Sequence, residues 1–89
     1  MNQDLSHISE TLIEISDDTS IPKNVKLKIQ NVIKTLGDTS EVSIRINKAL
    51  DELDEISDDV NLQPYTRTQL WNVVSSLEEL FSNNNSNSH

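Results

Sequence analysis

Apolar side chains recur every three or four residues along most of the chain, in four separate segments. The repeating positions are Leu5, Ile8, Leu12 and Ile15; then Val25, Ile29, Val32, Ile33 and Leu36; then Val42, Ile46, Ala49, Leu50, Leu53 and Ile56; and finally Leu70, Val73, Val74, Leu77 and Phe81. This spacing places each set on one face of an α-helix, whereas no segment shows the sustained period of two that a strand requires. The pattern therefore predicts four amphipathic helices and an all-α fold.

Polar turn residues separate these predicted helices. Ser20, Ser40 and Asn61 precede the second, third and fourth segments, where their side chains are well suited to accept from free backbone amides as N-caps. Gly37 follows the last apolar residue of the second segment, the place where a left-handed residue commonly ends a helix. The sequence thus predicts the helix boundaries as well as the helices.

The chain has 89 residues, which is the length of one small domain. No apolar residue follows Phe81, and the remaining positions are mostly Asn and Ser. Such a segment has nothing to bury, so it cannot offset the entropy of becoming ordered. We expect a four-helix domain over residues 1–82 and a disordered tail over residues 83–89.

The chain also resembles itself at an offset of 41 residues. Nine positions are identical, including the string Glu-Ile-Ser-Asp-Asp at residues 14–18 and 55–59. Two amphipathic stripes alone would not align these polar junction residues in register, so we infer a duplicated helical hairpin. Two hairpins with one apolar stripe each must face one another, which predicts a compact four-helix bundle built from two similar hairpins.

Composition and charge exclude several classes of function. Lys and Arg number 7 and Asp and Glu number 15, so the formal net charge is −8, which argues against nucleic acid as the main partner because phosphate binding depends on basic residues. The chain has no cysteine and one glycine, which excludes disulfides, thiolate metal sites and Gly-rich phosphate loops. With no membrane-length apolar run and no secretory signal, we expect a cytoplasmic protein.

The densest charge lies in the third predicted helix and just beyond it, at Asp51, Glu52, Asp54, Glu55, Asp58 and Asp59. Asp51, Glu55 and Asp58 share one helical face and offer the oxygen ligands that hard cations prefer, but their spacing is not that of an EF-hand loop. His7 is expected to be a surface histidine. No nucleophile, base and acid can be assembled, so we predict no catalytic, metal or cofactor site.

Trp71 lies about 100° from the centre of the apolar stripe of the fourth helix, with Arg67 and Glu78 on the same flank. Two interpretations stay open. Trp71 either closes the edge of the bundle, with Arg67 laid across its ring, or contacts a protein partner. Leu27 and Ile44 lie opposite their stripes and are expected to face solvent.

The segment from Leu53 to Trp71 reads Leu-Asp-Glu-Ile-Ser-Asp-Asp-Val-Asn-Leu-Gln-Pro-Tyr-Thr-Arg-Thr-Gln-Leu-Trp. It resembles the signature of a small archaeal family known as uncharacterised protein family 0147, as do the earlier segments 16–18 and 21–25. One departure is Val60, where the family pattern leads us to expect a proline. The resemblance implies an all-helical four-helix bundle and implies no activity, so no functional residue can be transferred.

The function therefore stays unknown at the level of the sequence. The leading hypothesis is a non-enzymatic protein-interaction or structural module, monomeric or homodimeric, with Trp71 and Arg67 as candidate contacts for an unknown protein partner. The alternative is weak binding of a divalent cation or small ligand on the acidic face of the third helix. A third hypothesis, accessory nucleic-acid binding, rests on Lys23, Lys26, Lys28 and Lys34 and is opposed by the net charge.

Overall fold

The computed structural model describes residues 5–86, with side chains through residue 83, and these residues form four helices joined by short loops. The helices are α1 (Leu5–Ser16), α2 (Lys23–Leu36), α3 (Val42–Ser57) and α4 (Pro64–Ser86). No strand occurs within the described residues. The predicted all-α class is confirmed.

Each helix packs against its neighbours in sequence, and α1 also packs against α4. Because the connecting loops are short, consecutive helices run antiparallel, and the contact between α1 and α4 closes the four into an up-down-up-down bundle. We call α1, α2 and their loop the first hairpin, and α3, α4 and their loop the second hairpin. None of the helices within residues 5–86 combines the length and apolar character needed to cross a membrane.

The predicted apolar stripes form the core. Its buried side chains are Ile8, Leu12, Ile15, Ile21, Val25, Ile29, Val32, Leu36, Ile46, Ala49, Leu53, Ile56, Leu62, Leu70, Val73 and Leu77. Leu27 and Ile44 are exposed, as their positions opposite the stripes predict. Val42 departs from its stripe, since it is the first residue of α3 and is 38% exposed beyond the end of the packed region.

Positions 41 residues apart occupy similar surroundings in the two hairpins. Leu12 and Leu53 are both fully buried, and so are Leu36 and Leu77 to within a few per cent. Thr66 is buried although it lies outside the predicted stripe, at the position that corresponds to the buried Val25. The two hairpins are therefore alike in which of these positions are buried. The duplication itself stays a prediction.

The loop of each hairpin differs from the predicted capping arrangement in the same way. Ser20 and Asn61 stay in the loops, where their backbone N–H groups donate to the carboxylates of Asp18 and Asp59 at 2.9 and 2.8 Å. α2 and α4 each begin two residues later than the predicted caps imply. The physical reason is that an Asx turn gives these amides an acceptor before the helix starts.

The connection between α2 and α3 also corrects the predicted caps. Gly37 has φ of −91°, so it is not left-handed, and its N–H is shared between the carbonyls three and four residues earlier. Ser40 donates its hydroxyl to the Asp38 carboxylate at 3.0 Å, and Glu41 occupies the N-cap of α3 without a capping side-chain hydrogen bond. The short side chains in this loop bond to one another rather than to the helix end.

α4 continues through residues 83–86, which the sequence assigns to a disordered tail. Extending an existing helix adds one hydrogen bond per residue without a new nucleation step, so Asn and Ser can prolong it despite their modest helix propensity. The remainder of that predicted tail, residues 87–89, and residues 1–4 lie outside the described residues.

Candidate functional site

Trp71 lies near the start of α4 with 57% of its surface exposed, beside a groove between α3 and α4. The groove has a volume of about 270 Å³. We call it the Trp71 groove, and its lining residues are Leu50, Asp51, Asp54, Ser57, Trp71, Val74 and Glu78. Both sides of the groove are helices, so a rigid scaffold positions its side chains.

Helical spacing brings these residues to one place. On α4, Trp71, Val74 and Glu78 follow at steps of three and four residues, which is one face of the helix. On α3 the same steps run from Leu50 to Ser57, and the antiparallel packing of α3 on α4 turns the two faces toward a shared groove. The spacing along α4 predicts that Glu78 lies on the same flank as Trp71. It does not predict which residues of α3 pack beside that flank.

The groove has an apolar floor and an acidic rim. Leu50 and Val74 are half-buried and pack against the core, so they form the floor. Asp51, Asp54 and Glu78 are exposed, and no basic side chain belongs to the lining. The arrangement can accept a group that is apolar along its length and positively charged at its end.

Arg67, the second predicted contact residue, does not line this groove. Its Nη2 donates to the backbone carbonyl of Asp59 at 3.0 Å, and its buried Nε has no hydrogen-bond partner among the described residues. Arg45 does the equivalent at the other connection, where its Nη1 donates to the Leu36 carbonyl at 2.8 Å. Arg67 thus ties the start of α4 to the preceding loop, and a contact with a partner stays a prediction.

The acidic run of α3 divides between two sides of the helix. Glu52 faces α2, where its carboxylate accepts from Asn31 Nδ2 at 3.0 Å and from Thr35 Oγ1 at 3.0 Å. Asp51 and Asp54 face the Trp71 groove instead. Among the side chains that the structure describes, no three acidic or histidine groups are placed to hold a metal ion. The run thus faces two directions, and weak cation binding by it stays a prediction.

Two loop carboxylates are more acidic than usual. The backbone N–H of Ser20, and next its hydroxyl, lower the pKa of Asp18 below its ordinary value of 3.8. The backbone N–H of Thr39, and next the hydroxyl of Ser40, lower the pKa of Asp38 in the same direction. Hydrogen bonds that favour the charged carboxylate explain both shifts. Both groups lie in loops outside the Trp71 groove, so they are structural features of the turns.

The remaining candidates are spread over other surfaces. Lys23, Lys28 and Lys34 are exposed on α2, and Lys26 is half-buried. His7 lines a small groove between α1 and α4, with a volume of about 120 Å³. Asp4, three residues before His7 in the sequence, lies outside the described residues.

Comparison with known proteins gives a consistent picture. A family model described as "Uncharacterised protein family (UPF0147)" matches residues 1–80. A UPF0147 protein of Archaeoglobus fulgidus is 37% identical over 76 residues, which is 85% of this chain and 87% of the relative. A UPF0147 protein of Sulfurisphaera tokodaii is 41% identical over 68 residues, or 75% of this chain and 76% of the relative.

A solved structure, described as the crystal structure of unknown function protein MMP1188, superposes on this bundle with a TM-score of 0.81. It is 40% identical and covers 83% of this chain and 85% of its own. The names of these relatives state no activity, so the function is unknown. The family match over residues 1–80 and the identities of the relatives establish that this chain belongs to the uncharacterised protein family UPF0147.

Proposed function

We propose that this chain is a non-catalytic protein-interaction module that holds a partner in the Trp71 groove. The observation that carries the proposal is the half-exposed Trp71 ring beside the apolar floor formed by Leu50 and Val74. Tryptophan is the side chain most enriched at binding hot spots, because it buries a large apolar surface and loses little rotamer freedom. The exposed half of this ring is therefore apolar surface that a partner can bury.

The size of the groove favours one protruding side chain of a partner over a cofactor. Its volume of about 270 Å³ is near the lower limit of the range of roughly 300–1,000 Å³ that holds most small-molecule ligands. The carboxylates of Asp51, Asp54 and Glu78 are exposed, whereas catalytic acids are generally enclosed by surroundings that alter their acidity. Both observations favour binding over chemistry.

The first hairpin supplies an internal reference for this position. The residue 41 positions before Trp71 is Gln30, which is exposed on α2. A hairpin with the same buried leucines thus packs with a polar side chain at the corresponding place. This favours a role for Trp71 outside the packing of its own bundle.

Affinity capture with matched variants tests the proposal. The parent chain, Trp71→Gln and Leu27→Gln are used to capture proteins from native lysate, with nuclease and a chelator present. Leu27 is the control because it is 58% exposed against 57% for Trp71, but lies on α2 outside the Trp71 groove. We expect a protein that the parent and Leu27→Gln retain and that Trp71→Gln loses.

Stability measurements accompany the capture. Trp71→Gln should lower the free energy of unfolding by only about 1 kcal/mol, because half of the ring is already in water. Equal capture by Trp71→Gln and the parent would contradict the proposal. The cytoplasmic location expected from the sequence belongs to the same proposal, and recovery of the chain with membrane or secreted fractions would contradict that part.

A further inference from the structure

We infer that the Trp71 groove takes an arginine side chain of a basic protein segment, with the guanidinium seated over the indole ring. This inference rests on the proposed function and specifies its partner. It is carried by three features at one place: a half-exposed indole, an apolar floor and a rim with three carboxylates and no basic side chain.

The chemistry of an arginine side chain matches these features along its length. Its methylene groups can cover Leu50 and Val74, because long basic side chains bury an apolar stem while the charged head stays in water. Its planar guanidinium can stack on the Trp71 ring and donate to Asp51 or Asp54. A lysine ammonium has the charge but not the planar fork, so arginine is the better fit.

The charge of the whole chain favours a basic partner over a second copy of this chain. The formal net charge is −8, so two copies repel one another while a basic segment is attracted. α2 carries Lys23, Lys26, Lys28 and Lys34, which makes it the competing occupant within a second copy. An experiment must therefore separate a basic peptide from self-association.

Trp71 is the only tryptophan in the chain, so its fluorescence reports directly on the groove. The probe is an end-blocked tetra-arginine peptide, compared with tetra-lysine and with the neutral tetra-citrulline analogue. We expect a saturable change in emission with tetra-arginine that weakens as salt is added. Tetra-lysine should bind roughly two- to fivefold less tightly, and tetra-citrulline should cause no change.

Two variants separate the groove from the overall charge. Asp51→Asn with Asp54→Asn removes two carboxylates from the rim, and Glu10→Gln with Glu14→Gln removes two exposed carboxylates from α1. The rim variant should bind tetra-arginine roughly three- to tenfold less tightly, whereas the α1 variant should change binding by less than about twofold. Circular dichroism melts check that both variants fold.

Each of the following results would overturn the inference. Equal weakening by both variants would mean that only overall charge matters, and unchanged emission throughout the titration would mean that the peptide does not occupy the groove. Emission that shifts with protein concentration in the absence of peptide would identify a second copy as the occupant. If tetra-arginine fails while capture from lysate still depends on Trp71, the partner class is wrong and the proposed function stands. If capture does not depend on Trp71, the proposed function fails.

Discussion

The two hairpins of this bundle are alike inside and different outside. Within the core, Leu12 matches Leu53 at an offset of 41 residues, and Ile15 matches Ile56, with every one of these side chains buried. On the surface the same offset pairs unlike residues, for example Gln30 with Trp71. Each hairpin must fill the same kind of buried space in the core with its side chains. Side chains on the surface are under no such packing constraint and can differ.

This contrast separates what the fold requires from what it merely permits. A leucine at residue 53 is required because its side chain fills a space of matching shape in the close-packed core. A tryptophan at residue 71 is permitted, since the first hairpin packs with glutamine at the corresponding place. The same holds for Asp54 on the rim of the groove, whose counterpart is the exposed Ile13. The Trp71 groove is thus one place where the surfaces of the two hairpins differ.

The strongest test of the likeness is a pair of core truncations. Leu12→Ala and Leu53→Ala should each lower the free energy of unfolding by about 2–5 kcal/mol, because each leaves a cavity in the same kind of surroundings. Urea denaturation followed by circular dichroism measures both. A cost for either variant within experimental error would show that its side chain does not fill the core as described.

An intermediate effect is expected where the hairpins differ in how they hold their loops. Arg67→Ala should cost about 1–2 kcal/mol, because the half-buried guanidinium donates to the Asp59 carbonyl. Its counterpart Lys26 makes no such bond among the described contacts, so Lys26→Ala should cost less than about 1 kcal/mol by the same measurement. Equal costs would remove the carbonyl bond as the cause, and Arg67→Lys should recover only part of the loss.

The smallest effect concerns the loop of the first hairpin. The carboxyl of Asp18 should titrate below 3.8 because Ser20 donates to it from both its backbone N–H and its hydroxyl. Its pKa is lowered in the folded state, so the stabilisation that it provides is present above the unfolded pKa and disappears as the pH falls through the folded pKa. Ser20→Ala should raise the Asp18 pKa while leaving it below 3.8, and NMR titration of the side-chain carboxyl measures both values. An unchanged pKa would exclude the hydroxyl as a cause.

The helices and core could be predicted because burial repeats at the helical period over many residues. The starts of α2, α3 and α4 could not, because each start is decided by one or two local hydrogen bonds of similar energy. The predicted end of α2 at Leu36, with Gly37 directly after it, is correct. Ser40 had two such options, the amides of α3 and the Asp38 carboxylate, and it bonds to the carboxylate. Nothing in the residue types distinguishes these choices.

Only the α4 side of the candidate site could be predicted from the sequence. The angle of Trp71 from its stripe follows from the sequence of α4 alone, and so does its neighbour Glu78. The rim residues Asp51 and Asp54 lie beside it only because α3 packs antiparallel on that flank, with one particular rotation about its axis. The sequence signal was the spacing of Leu50, Asp54 and Ser57, which becomes informative once the pairing of the helices is known.

The buried loop residues Ile21 and Leu62 give the bundle two unlike ends. Both belong to hairpin loops, so they close the same end of the core, while the α2–α3 loop carries exposed or half-buried side chains at the other. Local opening requires less free energy where fewer apolar contacts must be broken. Backbone amides should therefore exchange with solvent first near Gly37 and Val42. Unfolding should begin at that end of the bundle and proceed toward Ile21 and Leu62.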